Sequence, residues 1–309
     1  MSDLKKKIAV IGELNVDLVA SGLVKEPTLG QEILAQDFTM TLGSASAVFA
    51  CGIAKLGNQI SFISRIGKDD FGRFCLDELQ KKDVSTEKVE VIEKVKTGVT
   101  IVLSMPKDRA MVTYLGAISE LSLADIPLDN LNNHNHLHLT SYFLQTKLQP
   151  DFPLLMQEAK KRGLTVSFDP NSDPSQSWNE QIFEVIRNAD IFFINELEAT
   201  QLTGKNDLEA MLRDLEKYCP CVVIKLGAKG AIAISNGKIV QTEGFKVDAI
   251  DTTGAGDTFA AGFVHAYLEK KELSECLKIG NACGALSTLK VGGTSTQPDL
   301  QQLNEFLNQ

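Results

Sequence analysis

The stretch DTTGAGD, Asp251 to Asp257, sets the small residues Gly254, Ala255 and Gly256 between a threonine pair and a carboxylate, where a helical pattern begins. Glycine leaves main-chain N–H groups uncovered and tolerates backbone that other residues resist. With the positive end of the helix behind them, these N–H groups would converge on one spot that suits a phosphate. Asp257 borders that spot. A carboxylate there would repel the anion as a ligand, but it can accept the proton leaving an attacking hydroxyl. The same residues also suit a plain helix N-cap behind a tight turn.

Further polar residues follow directly on apolar runs. Asn15 and Asp17 follow IAVIG (8–12), Asp169 and Asn171 follow LTVSF, Asn195 and Glu198 follow IFFI, and Lys225, Gly227 and Gly230 follow CVVI. Open α/β sheets bind ligands beyond the carboxyl ends of their strands. Any one of these sets alone reads as a cap or turn; four on one edge argue for a binding site. No GxxxxGK[ST] is present, and GELNVD carries a single glycine after the first run, so neither a P-loop nor a dinucleotide fingerprint explains the phosphate. A different cradle is required.

The elements that must position these residues alternate in period. IAVIG, ISFISRIG (60–67), HLHLTSY, LTVSFD, IFFIN and CVVIKLG are strand-length runs. Ala45–Leu56, Phe71–Lys81, Pro153–Arg162, Trp178–Asn188 and Leu208–Tyr218 read as helices. Near-continuous apolar strands in repeated βα units predict a mostly parallel sheet covered on both faces, an α/β fold. Between Thr97 and Tyr114 the pattern becomes a hairpin turning at Pro106-Lys107-Asp108, and a second strand pair is expected within 17–42, around EILAQDFTMTLG. These pieces are too small for their own core and read as a β-sheet lid, in segments of about 17–42 and 97–115, on one domain spanning residues 1–309. Asp257–Glu269, Leu273–Leu289 and Pro298–Leu307 are expected as the closing helices.

Bulk properties exclude whole classes. The 309 residues are 43% hydrophobic and 23% charged, an ordinary globular composition, and the net charge of −9 lacks the basic excess that nucleic-acid binding needs. The polar start from Met1 to Lys7 and the lack of an apolar run near 18 residues predict a cytoplasmic protein without membrane contact. Cys51, Cys75, Cys219, Cys221, Cys276 and Cys283 follow no framework spacing and are expected as reduced, buried thiols.

In family order, GELNVD (12–17), GSASAVFACGIAKLG (43–57), RIGKDDFG (65–72), NELE (195–198), KLGAKG (225–230) and DTTGAGD resemble a ribokinase-type (PfkB) carbohydrate kinase over essentially the whole chain. The resemblance implies a Rossmann-like three-layer αβα fold with a β-sheet lid, ATP and Mg²⁺, and transfer of phosphate to a primary hydroxyl of a sugar. It makes Asp257 the catalytic base and the N–H groups of Gly254, Ala255 and Gly256 the anion hole. It assigns Asn195 and Glu198 to Mg²⁺ and the ATP phosphates, through water. Lys225, Gly227 and Gly230 resemble the nucleotide loop, Asn281 the adenine-side asparagine, and Asp251 with Thr253 a monovalent-cation site of the K⁺ kind. Asp17 is the candidate for binding sugar hydroxyls, supported by Asn15 and Gly43.

Two departures bear on the substrate. The family's GGxxxN reads Gly43-Ser44-Ala45-Ser46-Ala47-Val48, so a polar contact to the substrate is expected to be lost. Asp173 stands where several keto-sugar acid and fructose kinases have an arginine, which favours a neutral substrate such as ribose or fructose. A nucleoside kinase of the same superfamily and a catalytically silent sugar or nucleotide sensor are the alternatives. His134, His136 and His138 would share one strand face, a geometry open to a metal, although structural roles are expected. Dimerisation through the lid is expected on the same resemblance.

Overall fold

The computed structural model describes residues 5–105 and 109–308. Thirteen strands and nine α-helices are found among them. The strands are β1 (Lys7–Ile11), β2 (Asn15–Ser21), β3 (Asp37–Leu42), β4 (Gln59–Gly67), β5 (Val84–Ile92), β6 (Gly98–Ser104), β7 (Arg109–Tyr114), β8 (His136–Thr140), β9 (Thr165–Asp169), β10 (Ile191–Asn195), β11 (Cys221–Lys225), β12 (Ala231–Ser235) and β13 (Lys238–Thr242). Nine of them form the main sheet in the order β13-β12-β11-β10-β9-β8-β1-β4-β5, parallel from β11 to β5, with the β12–β13 hairpin antiparallel at one edge.

Strand side chains alternate faces, and the two faces meet two separate cores. Ile8 and Val10 point into one with Phe62, Phe193 and Val223; Ala9 and Ile11 point into the other with Leu137, Phe168, Phe192 and Ile224. The first core is closed by residues of α1 (Ala45–Lys55), α2 (Asp70–Gln80), α7 (Ala255–Leu268), α8 (Leu273–Ser287) and α9 (Leu300–Leu307). The second is closed by α3 (Phe152–Lys161), α4 (Gln181–Ile186), α5 (Glu196–Thr203) and α6 (Leu208–Leu215). This is the three-layer αβα architecture that the alternation predicts. All six cysteines are buried and free.

The lid is a four-stranded sheet, β3-β2-β6-β7, in which β2 pairs parallel with β6 and the outer pairs are antiparallel. The strand pair expected within 17–42 begins earlier, at Asn15, and residues 22–36 between β2 and β3 form no strand. The run around Leu34 lacks a buried face, since Leu34 is 80% exposed. The hairpin turn expected at Pro106–Asp108 lies outside the described residues. The helix expected over 178–188 shrinks to α4 because Asp173 holds the preceding backbone elsewhere: its carboxylate accepts from the N–H groups of Ser175, Ser177 and Trp178. Strand β5 and the β12–β13 hairpin lie at the sheet edges; VSTEKVEVI has too few apolar residues to announce itself as a strand.

Candidate active site

Parallel strands put their carboxyl ends on one edge of the sheet, and Asp169, Asn195 and Lys225 are the last residues of β9, β10 and β11. Asn195 is directly paired in register with Lys225. Over this edge α7 begins at Gly254, whose φ of +72° is left-handed; a Cβ there would lie 2.9 Å from Val48 Cγ1. Only glycine fits both the conformation and the space. The turn thus sets the start of a 14-residue helix above the strand ends, with Ala255 N–H donating back to the Thr252 carbonyl at 3.2 Å. Lys225 reaches up from below, with its Nζ 3.2 Å from where a Cβ on Gly256 would be.

This centre gathers charge. Lys225 donates to Asp169, which is 1% exposed. Burial pulls the Lys225 ammonium down, but the carboxylates of Asp169, Glu198 and Asp257 outweigh it and hold the group above the ordinary lysine range. Burial pushes Asp257 up to about 7; Lys225 opposes the rise, while Asp169, Glu13 and Glu198 add to it. Glu198 is also raised, first by burial and then by Asp169, against the pull of Lys225. Asp257 is a carboxylate near the midpoint of its titration at neutral pH, a state that suits proton acceptance.

Asn195 and Glu198 form a reciprocal capping box on α5: Asn195 Oδ1 accepts from Glu198 N–H at 2.8 Å, and Glu198 Oε2 accepts from Asn195 N–H at 3.0 Å. The other Glu198 oxygen accepts from Ser172 Oγ. Asp251 ties two loops together, accepting from Thr253 N–H and Gly292 N–H at 2.9 Å each. Gly230 and Asn281 meet around one segment: Asn281 Nδ2 donates to Thr242 and Glu243, and a Cβ on Gly230 would lie 2.1 Å from the Thr242 carbonyl. Gly227 has open space beside it.

The sugar candidates cluster on the lid. Asn15 Nδ2 donates to Asp17 Oδ1 at 3.0 Å, and Asp17 pairs across the sheet with Thr41 and Thr100, which in turn pairs with Thr113. Gly43 packs so closely that a Cβ would fall 2.2 Å from Asp17 Oδ1. Burial raises Asp17 to about 6, with Asn15 and Arg109 opposing. The lid touches the main domain where Arg109 Nη1 donates to Thr253 Oγ1 at 2.8 Å.

Several residues carry more than their sequence signal. Glu13, inside GELNVD and only 3% exposed, accepts hydroxyl donors from Ser46, Thr140 and Ser141 and so fixes the floor below the Gly43–Ser44 turn. Ser44 adopts φ +73°, donates to the Glu13 carbonyl and caps Ala47 N–H. Val48 packs against Gly254 and Gly293, so its side chain supports the turn. Asp169 was visible as a polar strand end but not as the partner of Lys225; that contact spans 56 residues. The histidines are structural: His136 bonds Thr165 and Ser167, His138 bonds Ser167, and His134 bonds Ser61. No cluster able to hold a metal by three or more His, Cys, Asp or Glu is found among the described residues.

The sequence profile described as "pfkB family carbohydrate kinase" matches residues 5–300. The chain is 32% identical over 312 residues to the ribokinase of Haemophilus influenzae, covering 98% of this chain and 99% of that protein. It is also 32% identical over 285 residues to the 2-dehydro-3-deoxygluconokinase of Bacillus subtilis, covering 88% of each. The structure of Arabidopsis thaliana ribokinase complexed with ribose and ATP superposes with a TM-score of 0.86 at 25% identity, covering 99% of this chain and 100% of that one. The glycine turn at α7, the strand-end charges and the lid therefore belong to a member of the pfkB family of carbohydrate kinases, ATP-dependent sugar kinases.

Proposed function

We propose that this kinase transfers the γ-phosphoryl group of ATP to a primary hydroxyl of a neutral sugar, ribose, fructose or a close relative. The observation that carries the reading is the placement of Asp257 directly behind the Gly254–Gly256 turn, with Lys225 beneath that turn and Asp17 on the lid. Asp17 and the row of Thr41, Thr100 and Thr113 offer acceptors and donors for adjacent sugar hydroxyls. Asp257 takes the proton from the attacking hydroxyl. The N–H groups of Gly254, Ala255 and Gly256 hold the phosphoryl oxygens as charge shifts to ADP, and the closed lid excludes water.

Magnesium fits the residues present. Glu198 is a desolvated carboxylate beside Asp169, and the buried Asn171 Oδ1, two residues beyond Asp169, has no hydrogen-bond partner among the described residues. Such oxygens suit a hydrated divalent ion, whose chemistry is to neutralise the phosphate oxygens. Asn195 and Glu198 would hold it through water, while Gly227, Gly230 and Asn281 line the nucleotide side. Asp251 and Thr253 form the proposed monovalent-cation site, with K⁺ as its ion.

The reading extends to a homodimer. The outer lid face presents Phe38 (63% exposed), Met40, Ile101, Val112 and Tyr114 as one apolar surface, which a second copy of the same lid would cover. Sedimentation of wild type against Ile101→Asp tests it; a wild-type monomer would refute it. No helix among the described residues is long and apolar enough to cross a membrane.

A coupled ADP-release assay with Mg²⁺-ATP against ribose, fructose, 2-keto-3-deoxygluconate and several nucleosides tests the reaction, run beside Asp257→Ala. Turnover with a neutral sugar that falls by about 10²–10⁴ in the variant supports the reading. Preference for a nucleoside would replace the acceptor class, and ATP binding without turnover on any acceptor would favour a silent sensor.

A further inference from the structure

Helices α1 and α7 each open on one half of the candidate site. α1 begins behind Ser44, in the turn that packs Gly43 against Asp17; α7 begins behind Gly254 and carries Asp257 in its first turn. Small residues bring the two helices close. A Cβ on Gly254 would lie 2.9 Å from Val48 Cγ1, and about one turn further along α1 a Cβ on Gly52 would lie 3.2 Å from Ala261 Cβ. The helices therefore run side by side in the same direction. Glycine weakens the interior of a helix, so the place of Gly52 is explained by what packs on it.

Besides Ala261, that is the amide of Gln297, whose Nε2 is 3.0 Å from the position of the Gly52 Cβ. Gln297 is 1% exposed and belongs to neither helix, lying in the segment between α8 and α9. Its Nε2 donates to Val48 O at 2.7 Å and to Thr258 Oγ1 at 3.0 Å, so one amide joins α1 to α7 at the residue directly after Asp257. Its backbone carbonyl accepts from Lys55 Nζ at 2.8 Å, which ties the same residue to the last turn of α1. Gln297 Oε1 is buried without a hydrogen-bond partner among the described residues, a penalty that an apolar side chain of the same size would avoid. Packing alone does not account for an amide here; two donors reaching two helices do.

Resting on the kinase reading above, we propose that Gln297 is a positioning residue for phosphoryl transfer: it locks α1 against α7 and so fixes the acceptor, held beside the turn that opens α1, at reacting distance from Asp257. Gln297 acts through the two helices and touches neither the acceptor nor the phosphoryl group. A slip of about 1 Å between the helices is enough to lower the rate about a hundredfold, because the reacting atoms leave their near-attack geometry. Such a slip leaves each half of the site intact, so acceptor and nucleotide still bind.

The test uses Gln297→Met in the full-length protein with Mg²⁺-ATP and the best acceptor of the wild type. Methionine keeps the length of the side chain and donates nothing. Val48 O retains the ladder of its own helix and the Thr258 hydroxyl can turn to the Gly254 carbonyl, so no buried group is stranded. Expected is a kcat lower by about 10–10², with acceptor KM and ADP affinity within about threefold and Tm within about 3 °C of wild type. Thr258→Val breaks the same link from α7 and should give a similar fall, and the double variant should fall no further than the deeper single. A kcat within about threefold of wild type overturns the proposal, as does a loss confined to acceptor KM. So does a lowered Tm with kcat per folded molecule unchanged, the mark of a merely structural glutamine, or losses that multiply in the double variant. Should Gln297→Met fail to fold, Thr258→Val decides by the same criteria. A wild type without turnover on any acceptor overturns the kinase reading and this role with it; an active wild type with an unaffected Gln297→Met overturns this role alone.

Discussion

Asp257→Asn should remove activity and yet stabilise the protein, by an amount that depends on pH. The native state raises the Asp257 carboxyl from the ordinary 3.8 to about 7, chiefly by burial. The folded protein therefore binds this proton more tightly than the unfolded chain does. The cost of ionised Asp257 is fully present above pH 7, declines as pH falls, and disappears below 3.8. The step from 3.8 to about 7 corresponds to about 4 kcal/mol at pH 8, and to under about 2 kcal/mol at pH 5, where only the unfolded chain is ionised. Asp257 keeps some exposure to the cleft, so water relieves part of this and about 2 kcal/mol is the realistic gain at pH 8. Lys225 retains Asp169 in the variant, so no cation is orphaned. Thermal unfolding at pH 8 should show Asp257→Asn higher in Tm by about 4 °C, falling to less than half of that at pH 5. In the same pH series, wild-type kcat/KM should rise through about pH 7 as the base ionises. A variant no more stable than wild type at pH 8, or a gain at pH 5 as large as at pH 8, would refute burial as the origin of the shift.

Gly43→Ala places a Cβ 2.2 Å from Asp17 Oδ1 and 2.5 Å from Asn15 Nδ2, so acceptor KM should rise at least about tenfold with ADP affinity unchanged, as read by initial rates and calorimetry. Lys225→Met leaves Asp169 and Glu198 buried without their cation and should cost about 3–5 kcal/mol in urea unfolding at pH 8. Ser44→Ala keeps the backbone at φ +73° but loses the bonds to the Glu13 carbonyl and Ala47 N–H, a loss of about 1–2 kcal/mol; Ser44→Gly should lose less, because it also releases the strain. The same urea series checks both.

The candidate site was legible where chemistry and local geometry coincide in one segment. DTTGAGD carries its own glycine turn, helix start and carboxylate, and NELE carries its own capping box, so local sequence announced both. Residues whose role depends on a distant partner were not legible. Asp173 reads as an arginine replaced, with a loss of positive charge near the substrate, yet its carboxylate is occupied by the N–H groups of its own loop. Val48 reads as a lost polar contact, but it supports the glycine turn.

The sequence by itself determined the βα alternation, the strand-end polar residues and the glycine turn before α7, because period-two and helical patterns and glycine turns are set by neighbours along the chain. Only the tertiary structure decided that Lys225 meets Asp169 and that hydroxyls from Ser46, Thr140 and Ser141 converge on Glu13. It alone brought Arg109 of the lid to Thr253, across 144 residues. Those contacts depend on strand order and lid register, which arise from packing two cores against one sheet and leave no local mark in the chain.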